Sequence, residues 1–221
     1  MKVTNPQLAF LAAILTTILG AAFSAPGRAD GAGSPAVAKG SLHAKLQYCE
    51  DCHGPSGQGY RGYFPIPRLG GQTPEYIQNQ LRAFVERRRE VHIGMTMSKV
   101  HGLSPDLRTA LAAHFSELNP APFGGAPKQL RDAGKDIFEQ GIPEDNVPAC
   151  QVCHGPEARG DRGIPRLAGQ LYSYTVKELA NWDTERGQGA NPDTSAVMRS
   201  IAHSLTKSQI EAVAAYVSNL E

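Results

Sequence analysis

Cys49-Glu50-Asp51-Cys52-His53 and Cys150-Gln151-Val152-Cys153-His154 are the two stretches on which the reading of this chain turns. Between them they use all four cysteines. Cys-x-x-Cys-His is the attachment pattern of c-type haem. Two intervening residues let both sulfurs reach one edge of the macrocycle and add to its vinyl groups. The next side chain then falls under the metal as an axial ligand. Two covalently bound haem c groups (iron) are therefore expected, one on Cys49, Cys52 and His53, the other on Cys150, Cys153 and His154. Electron transfer is the expected role of a chain so equipped. A thioredoxin-like redox pair or half a zinc site also contains Cys-x-x-Cys. Neither calls for histidine at the following position twice, and a zinc site would have to gather pairs 101 residues apart.

Outward from these motifs the chain repeats itself. Pro67-Arg68-Leu69-Gly70-Gly71-Gln72 returns as Pro165-Arg166-Leu167-Ala168-Gly169-Gln170, 98 residues on. Leu81 and Phe84 match Leu179 and Trp182 at the same offset. Leu111 to Leu118 matches Val213 to Leu220, 102 residues on. A repeat of this length is a duplicated domain, not a solenoid. The expected organisation is a signal segment over 1–25, one domain over 30–118, a Pro/Gly-rich linker over 119–127 and a second domain over 128–221.

Each half reads as helical, which makes the fold class all-α. Thr73 is an N-cap candidate with Pro74 at the first helical position, and Ile77, Leu81, Phe84 and Val85 follow at helical spacing. The counterpart starts near Ser173 and buries Val176, Leu179 and Trp182. Ser104-Pro105 opens a helix with the stripe Leu107, Leu111, Phe115 and Leu118. Thr206 and Gln209 form a capping box before Ile210, Val213, Ala214, Val217 and Leu220. Helical segments should precede both cysteine motifs, with Leu42 and Leu46 in the first half and Ile137 and Phe138 in the second. No substantial strand run is present. Domains this small have thin cores, so each haem is expected to fill part of its own.

The N-terminus argues for export. Lys2 precedes the apolar run Leu8 to Leu19, and small residues follow through Ala25, the pattern of a secretory signal peptide. An uncleaved membrane anchor is the alternative, although the run is short for a span of ~20 apolar residues. Export fits covalent haem, which is attached outside the cytoplasm, and places the protein in the periplasm. The four cysteines are then not a disulfide framework. The formal net charge of +1 gives no support to nucleic-acid binding. Residues 26–122 carry 11 Lys/Arg against 8 Asp/Glu, and residues 123–221 carry 10 against 13. This asymmetry would orient a partner by its field, or is ordinary surface scatter.

The sixth ligand of each iron separates a carrier from a catalyst, because a second strong ligand closes the metal to substrates. The chain has four methionines. Met198 stands seven residues before Leu205, and Met97 stands six before Leu103. Met97 and Met198 are 101 residues apart, the offset of the two haem histidines, and they are the candidate axial ligands, with Met95 the alternative in the first half. Generic core packing is methionine's other use. His92, His101 and His203 are rival ligands, or surface histidines beside the haem. A ligating histidine donates its other ring N–H to an oxygen, and Pro67 and Pro165 are placed to present one. Tyr76, Tyr174 and Trp182 belong to the core or to the haem edge. Arg87-Arg88-Arg89 either docks an acidic partner or is the solvated end of a helix.

Two Cys-x-x-Cys-His domains, each followed by Pro-Arg-Leu-(Gly/Ala)-Gly-Gln, a helix with Gln80-Leu81 or Glu178-Leu179, a methionine and a capped last helix, together resemble the dihaem cytochrome c4 family. The insertion Gly141 to Ala149 before Cys150 is also similar to that family's second domain. The resemblance implies tandem class I cytochrome c domains with haem edges close enough for internal electron transfer. It implies a periplasmic carrier, free or loosely membrane-associated. Donors would be a dehydrogenase or a bc1-type complex, and acceptors terminal oxidases. A dedicated electron-accepting subunit of one dehydrogenase, for example in sulfur-compound oxidation, is the runner-up. A dihaem enzyme such as a peroxidase is the third reading, and methionine in both halves opposes it.

Overall fold

The structure, a computed structural model, describes residues 39–89, 97–186 and 195–221. The expected signal segment, His92 and Met95 lie outside them. The described residues fall in one compact unit, Ala36–Glu221. They form nine α-helices, with short 3-10 turns and isolated bridges in place of strands.

In the first half, α1 (Lys39–His53) ends on the first cysteine motif. α2 (Pro74–Val85) packs on α3 (Pro105–Glu117), and α1 crosses α3. Ile77, Leu81 and Phe84 of α2 meet Leu111, Ala112 and Phe115 of α3 in one buried cluster. Thr73 occupies the N-cap position of α2, but its side chain makes no cap. Its hydroxyl donates instead to the Arg162 carbonyl in the second half. Ser104 does cap α3, accepting from the Leu107 N–H at 3.3 Å.

In the second half, α4 (Arg131–Gln140) stops well short of the second motif, which sits on the separate short helix α5 (Gln151–His154). The intervening segment turns at Gly141 and closes through an Ile142–Val147 bridge, with both side chains buried. α4 is the helix expected before the motif, with Ile137 and Phe138 on it, and the insertion that follows anchors itself with its own apolar pair. α6 (Tyr172–Ala180) begins one residue ahead of Ser173, and Tyr174 and Glu178 are its buried positions. Val176 and Leu179 are only half-buried. Trp182 opens α7 (Trp182–Glu185), and α8 (Ser195–Ser204) follows. The last helix, α9 (Lys207–Val217), carries the expected capping box between Thr206 and Gln209.

α4 and α9 cross very closely. A Cβ on Gly134 would lie 2.0 Å from the Ala212 carbonyl oxygen, so only glycine permits the approach. Phe138 then fills the gap against Val213 and Val217.

The loop after each histidine is built alike. The N–H of Gly59 donates to the His53 carbonyl and that of Gly160 to the His154 carbonyl, both at 2.8 Å. Both glycines have positive φ, 87° and 69°, and a side chain at either would strike the facing backbone. Beyond them the first loop is three residues longer, through Tyr63-Phe64-Pro65, which is why the repeat offset falls from 101 to 98. Tyr63 is 93% exposed and stacks edge-on against Phe64.

Candidate haem sites

His53 and His154 are the last residues of α1 and α5, and both are 5% exposed. The Nδ1–H of His53 donates to the Pro67 carbonyl at 2.8 Å, and that of His154 to the Pro165 carbonyl at 2.9 Å. Burial lowers both imidazole pKa values, against a smaller opposing pull from the carbonyls. Each ring is thus neutral, with its orientation fixed by the Nδ1 bond and Nε2 as the other ring nitrogen, the one able to bind a metal. The helical turn ending at the histidine brings the two cysteines beside it. Cys49 and Cys150 are half-buried, Cys52 and Cys153 exposed, and none is in a disulfide. Burial pushes the Cys49 and Cys150 thiols up to about 11. Among the described residues no cluster of three or more His, Cys, Asp or Glu side chains gathers, as a zinc site on all four cysteines would require.

Met97 is half-buried against the first core cluster, at the N-cap of the 3-10 turn Ser98–Gly102. Met198 is half-buried within α8. His203, on the same helix, pairs with Asp183 at 3.0 Å, and Arg199 holds that carboxylate at 2.7 Å. His101 has a buried Nδ1 with no hydrogen-bond partner.

The two Pro-Arg-Leu-(Gly/Ala)-Gly-Gln segments meet back to back. Gln170 Oε1 accepts from the Arg68 backbone N–H at 2.9 Å, and its Nε2 donates to the Arg68 carbonyl at 3.1 Å. Gln72 does the same to Arg166, at 2.7 and 3.0 Å. The guanidinium groups of Arg68 and Arg166 fold onto their own loops through Nε, donating to Gly70 and Ala168. Arg68 Nη1 and Arg166 Nη2 are buried without partners. Burial, and then the neighbouring Arg166, lowers the Arg68 pKa to about 10. This surplus of buried cationic donors fits the propionate carboxylates that each haem carries. Cysteines, neutral histidines and cationic rim together suit the group that the motifs call for.

A second layer joins the halves. Glu178, 5% exposed, accepts from Arg186 and pairs with Arg89 of the first half at 3.4 Å. Both arginines also donate to the Tyr174 hydroxyl and to Gln80, and Arg186 donates to the Tyr76 hydroxyl. Burial pushes the Glu178 pKa up, but Arg186 and Arg89 outweigh it and hold the carboxylate below its ordinary value. Arg89 is therefore an internal ion-pair member, contrary to its reading as solvated helix end or docking charge. Sequence reasoning missed this cluster. The signal was present in the register: Tyr76 and Gln80 stand 98 residues before Tyr174 and Glu178.

A helical protein with two motifs of this kind, each with a buried histidine held by a proline carbonyl, is a c-type cytochrome. A family model described as cytochrome c matches residues 132–221. Cytochrome c4 of Azotobacter vinelandii is 32% identical over 203 residues, covering 88% of this chain and 92% of that protein. The thiosulfate dehydrogenase electron acceptor of Thiomonas intermedia (strain K12) is 33% identical over 179 residues, covering 77% of each. The solved structure of Acidithiobacillus ferrooxidans cytochrome c4 matches with a TM-score of 0.67 at 34% identity, over 79% of this chain and 99% of that one. The chain belongs to the dihaem cytochrome c4 family. It carries two covalent haem c groups and is a dihaem electron carrier.

Proposed function

We propose that Cys49 and Cys52 would hold one haem and Cys150 and Cys153 the other, with His53 and Met97 as the iron-binding side chains in the first half and His154 and Met198 in the second. The domains would be 30–118 and 128–221, joined by 119–127. When bound, each haem supplies a one-electron iron couple. The polypeptide holds the imidazoles neutral and oriented, would offer each iron a thioether as its second protein ligand, and excludes water with its apolar clusters. The observation that carries the reading is the paired histidine–proline hydrogen bond, built alike in both halves. The engagement of His203 by Asp183 supports Met198 as the second-half ligand. With methionine at both irons the protein is a carrier and not an enzyme.

Its place would be the periplasm, after removal of residues 1–25. It would take electrons from a dehydrogenase or a bc1-type complex and pass them to an oxidase, with loose membrane association as an option. No helix among the described residues is long and apolar enough to cross a membrane. A second reading is a dedicated acceptor for one sulfur-compound dehydrogenase, favoured by the likeness to the Thiomonas protein. Stable co-purification with a larger enzyme would select that reading over the free carrier. The test of the ligand set is the ferric optical and EPR spectrum, with haem counted by pyridine haemochrome. Two low-spin haems with a methionine–iron charge-transfer band are expected. A high-spin or bis-histidine signal from either haem would overturn the assignment.

A further inference from the structure

We infer that each half of the molecule tunes the haem of the other half through a single glutamine amide. The peptide group between Pro67 and Arg68 is used at both ends. Its carbonyl accepts from His53 Nδ1, and its N–H donates to Gln170 Oε1 in the second half. The peptide between Pro165 and Arg166 is used identically, by His154 Nδ1 and by Gln72 Oε1 in the first half. All four polar partners are more than nine-tenths buried, so no water competes for these bonds.

Hydrogen bonds in series through one amide polarise each other. When the glutamine oxygen draws on the N–H, electron density moves to the proline carbonyl. The carbonyl becomes a stronger acceptor, and the imidazole gains imidazolate character. A more basic axial imidazole favours ferric iron, because outer-shell hydrogen bonds set ligand basicity and potential. Gln170 and Gln72 are thus positioning residues that act in trans on His53 and His154. The second contact, from each glutamine Nε2 to the following arginine carbonyl, fixes the amide so that its oxygen faces the shared peptide.

The inference rests on the proposed ligand roles of His53 and His154, and its test is separable from theirs. Gln170→Met and Gln72→Met keep the volume and remove both hydrogen bonds to the opposite half, together with the bond each amide oxygen accepts from the N–H of its own next residue, Leu171 at 3.0 Å and Thr73 at 2.9 Å. In the intact dihaem protein, each haem's potential is followed through the hyperfine-shifted NMR signals of its own ligands. The expected result is crossed. Gln170→Met makes the first-half haem easier to reduce, and Gln72→Met does so for the second. The expected rise in the ferrous-to-ferric ratio at fixed poise is roughly two- to tenfold, in line with a 10–30% change in a coupled hydrogen bond. Equal movement of both haems in both variants would mean simple loosening of the interface and would overturn the inference, as would no movement at all. If the methionine variants fail to fold, Gln170→Glu and Gln72→Glu keep the shape and the accepting oxygen. Each should then lower the potential of the opposite haem more than its own, and an uncrossed pattern overturns the inference equally. Loss of two low-spin histidine-ligated haems in the wild-type protein would instead fault the ligand assignment.

Discussion

Replacing Glu178 with Gln keeps the shape of the side chain and removes the carboxylate that Arg89 and Arg186 share. The side chains involved are 7%, 12% and 11% exposed, so neither arginine can turn to solvent without dismantling the contact between the halves. At 3.4 Å the Arg89 pair alone carries a gross attraction of about 5 kcal/mol at an effective dielectric of about 20. Desolvation offsets much of that in the intact pair. Removing one partner leaves the other charges buried and uncompensated, a change that typically costs ~3–5 kcal/mol. With a urea m-value of about 2 kcal/mol/M, the unfolding midpoint should fall by roughly 1.5–2.5 M. The internal control is Gln80→Glu in the Glu178→Gln background. Gln80 Oε1 already accepts from Arg89 at 2.7 Å and from Arg186 at 3.2 Å, so a carboxylate there meets the same two guanidinium groups. It should recover most of the loss. The pH dependence has a definite sign. The folded pKa of Glu178 lies below its ordinary value, so its contribution is full above the unfolded pKa of about 4.3 and disappears as pH falls through the folded value. The gap between wild type and variant should be flat across neutral pH and narrow only in acid. A loss under about 1 kcal/mol at neutral pH, the scale of an exposed pair, would refute this account.

Gly134→Ala should destabilise by about 1–3 kcal/mol in denaturant titration, since its Cβ would meet a backbone carbonyl that cannot rotate away. Thr206→Ala should cost about 1 kcal/mol in the same measurement through loss of the capping box. In the haem-free chain, mass spectrometry after brief alkylation near pH 8 should find Cys52 and Cys153 modified before Cys49 and Cys150, whose thiols burial holds at about 11. Excising Tyr63-Phe64-Pro65 should change the thermal midpoint little, because the shorter second-half loop already closes the same turn.

Local chemistry was the part of this protein legible in its sequence. The motifs, the capping box of α9, the stripe along that helix and the proline carbonyls facing the histidines all follow from short-range rules, and the structure has them. What escaped was long-range. The bridge that closes the insertion between α4 and α5 depends on Ile142 and Val147 finding each other across a turn. Thr73 had the identity of a cap, but the Arg162 carbonyl from the other half competes for its hydroxyl. Tyr174 and Glu178 are buried ahead of Val176 and Leu179, because the face of α6 that meets the first half is polar and ion-paired. Helical periodicity ranks residues by apolarity and cannot anticipate a buried face built from charges.

The duplication explains why those long-range contacts take the form they do. Two copies of one repeat in reciprocal contact, Gln170 on Arg68 and Gln72 on Arg166, place equivalent residues opposite each other. Like charges must then confront like charges, as Arg68 and Arg166 do, with each lowered in pKa by burial. Such an interface holds if an anion enters it or if the symmetry is broken. At the Gln clamps the symmetry is retained, since an amide both donates and accepts and serves either half equally. At the ionic layer it is broken, with Gln80 on one side and Glu178 on the other. One carboxylate between two arginines relieves the repulsion, where two carboxylates would have brought back a repulsive pair. The neutral, self-complementary residue is kept next to the histidines, and the charged exception is confined to the neighbouring layer. That division lets the halves bind firmly to each other while the peptide groups behind the two imidazoles remain equivalent.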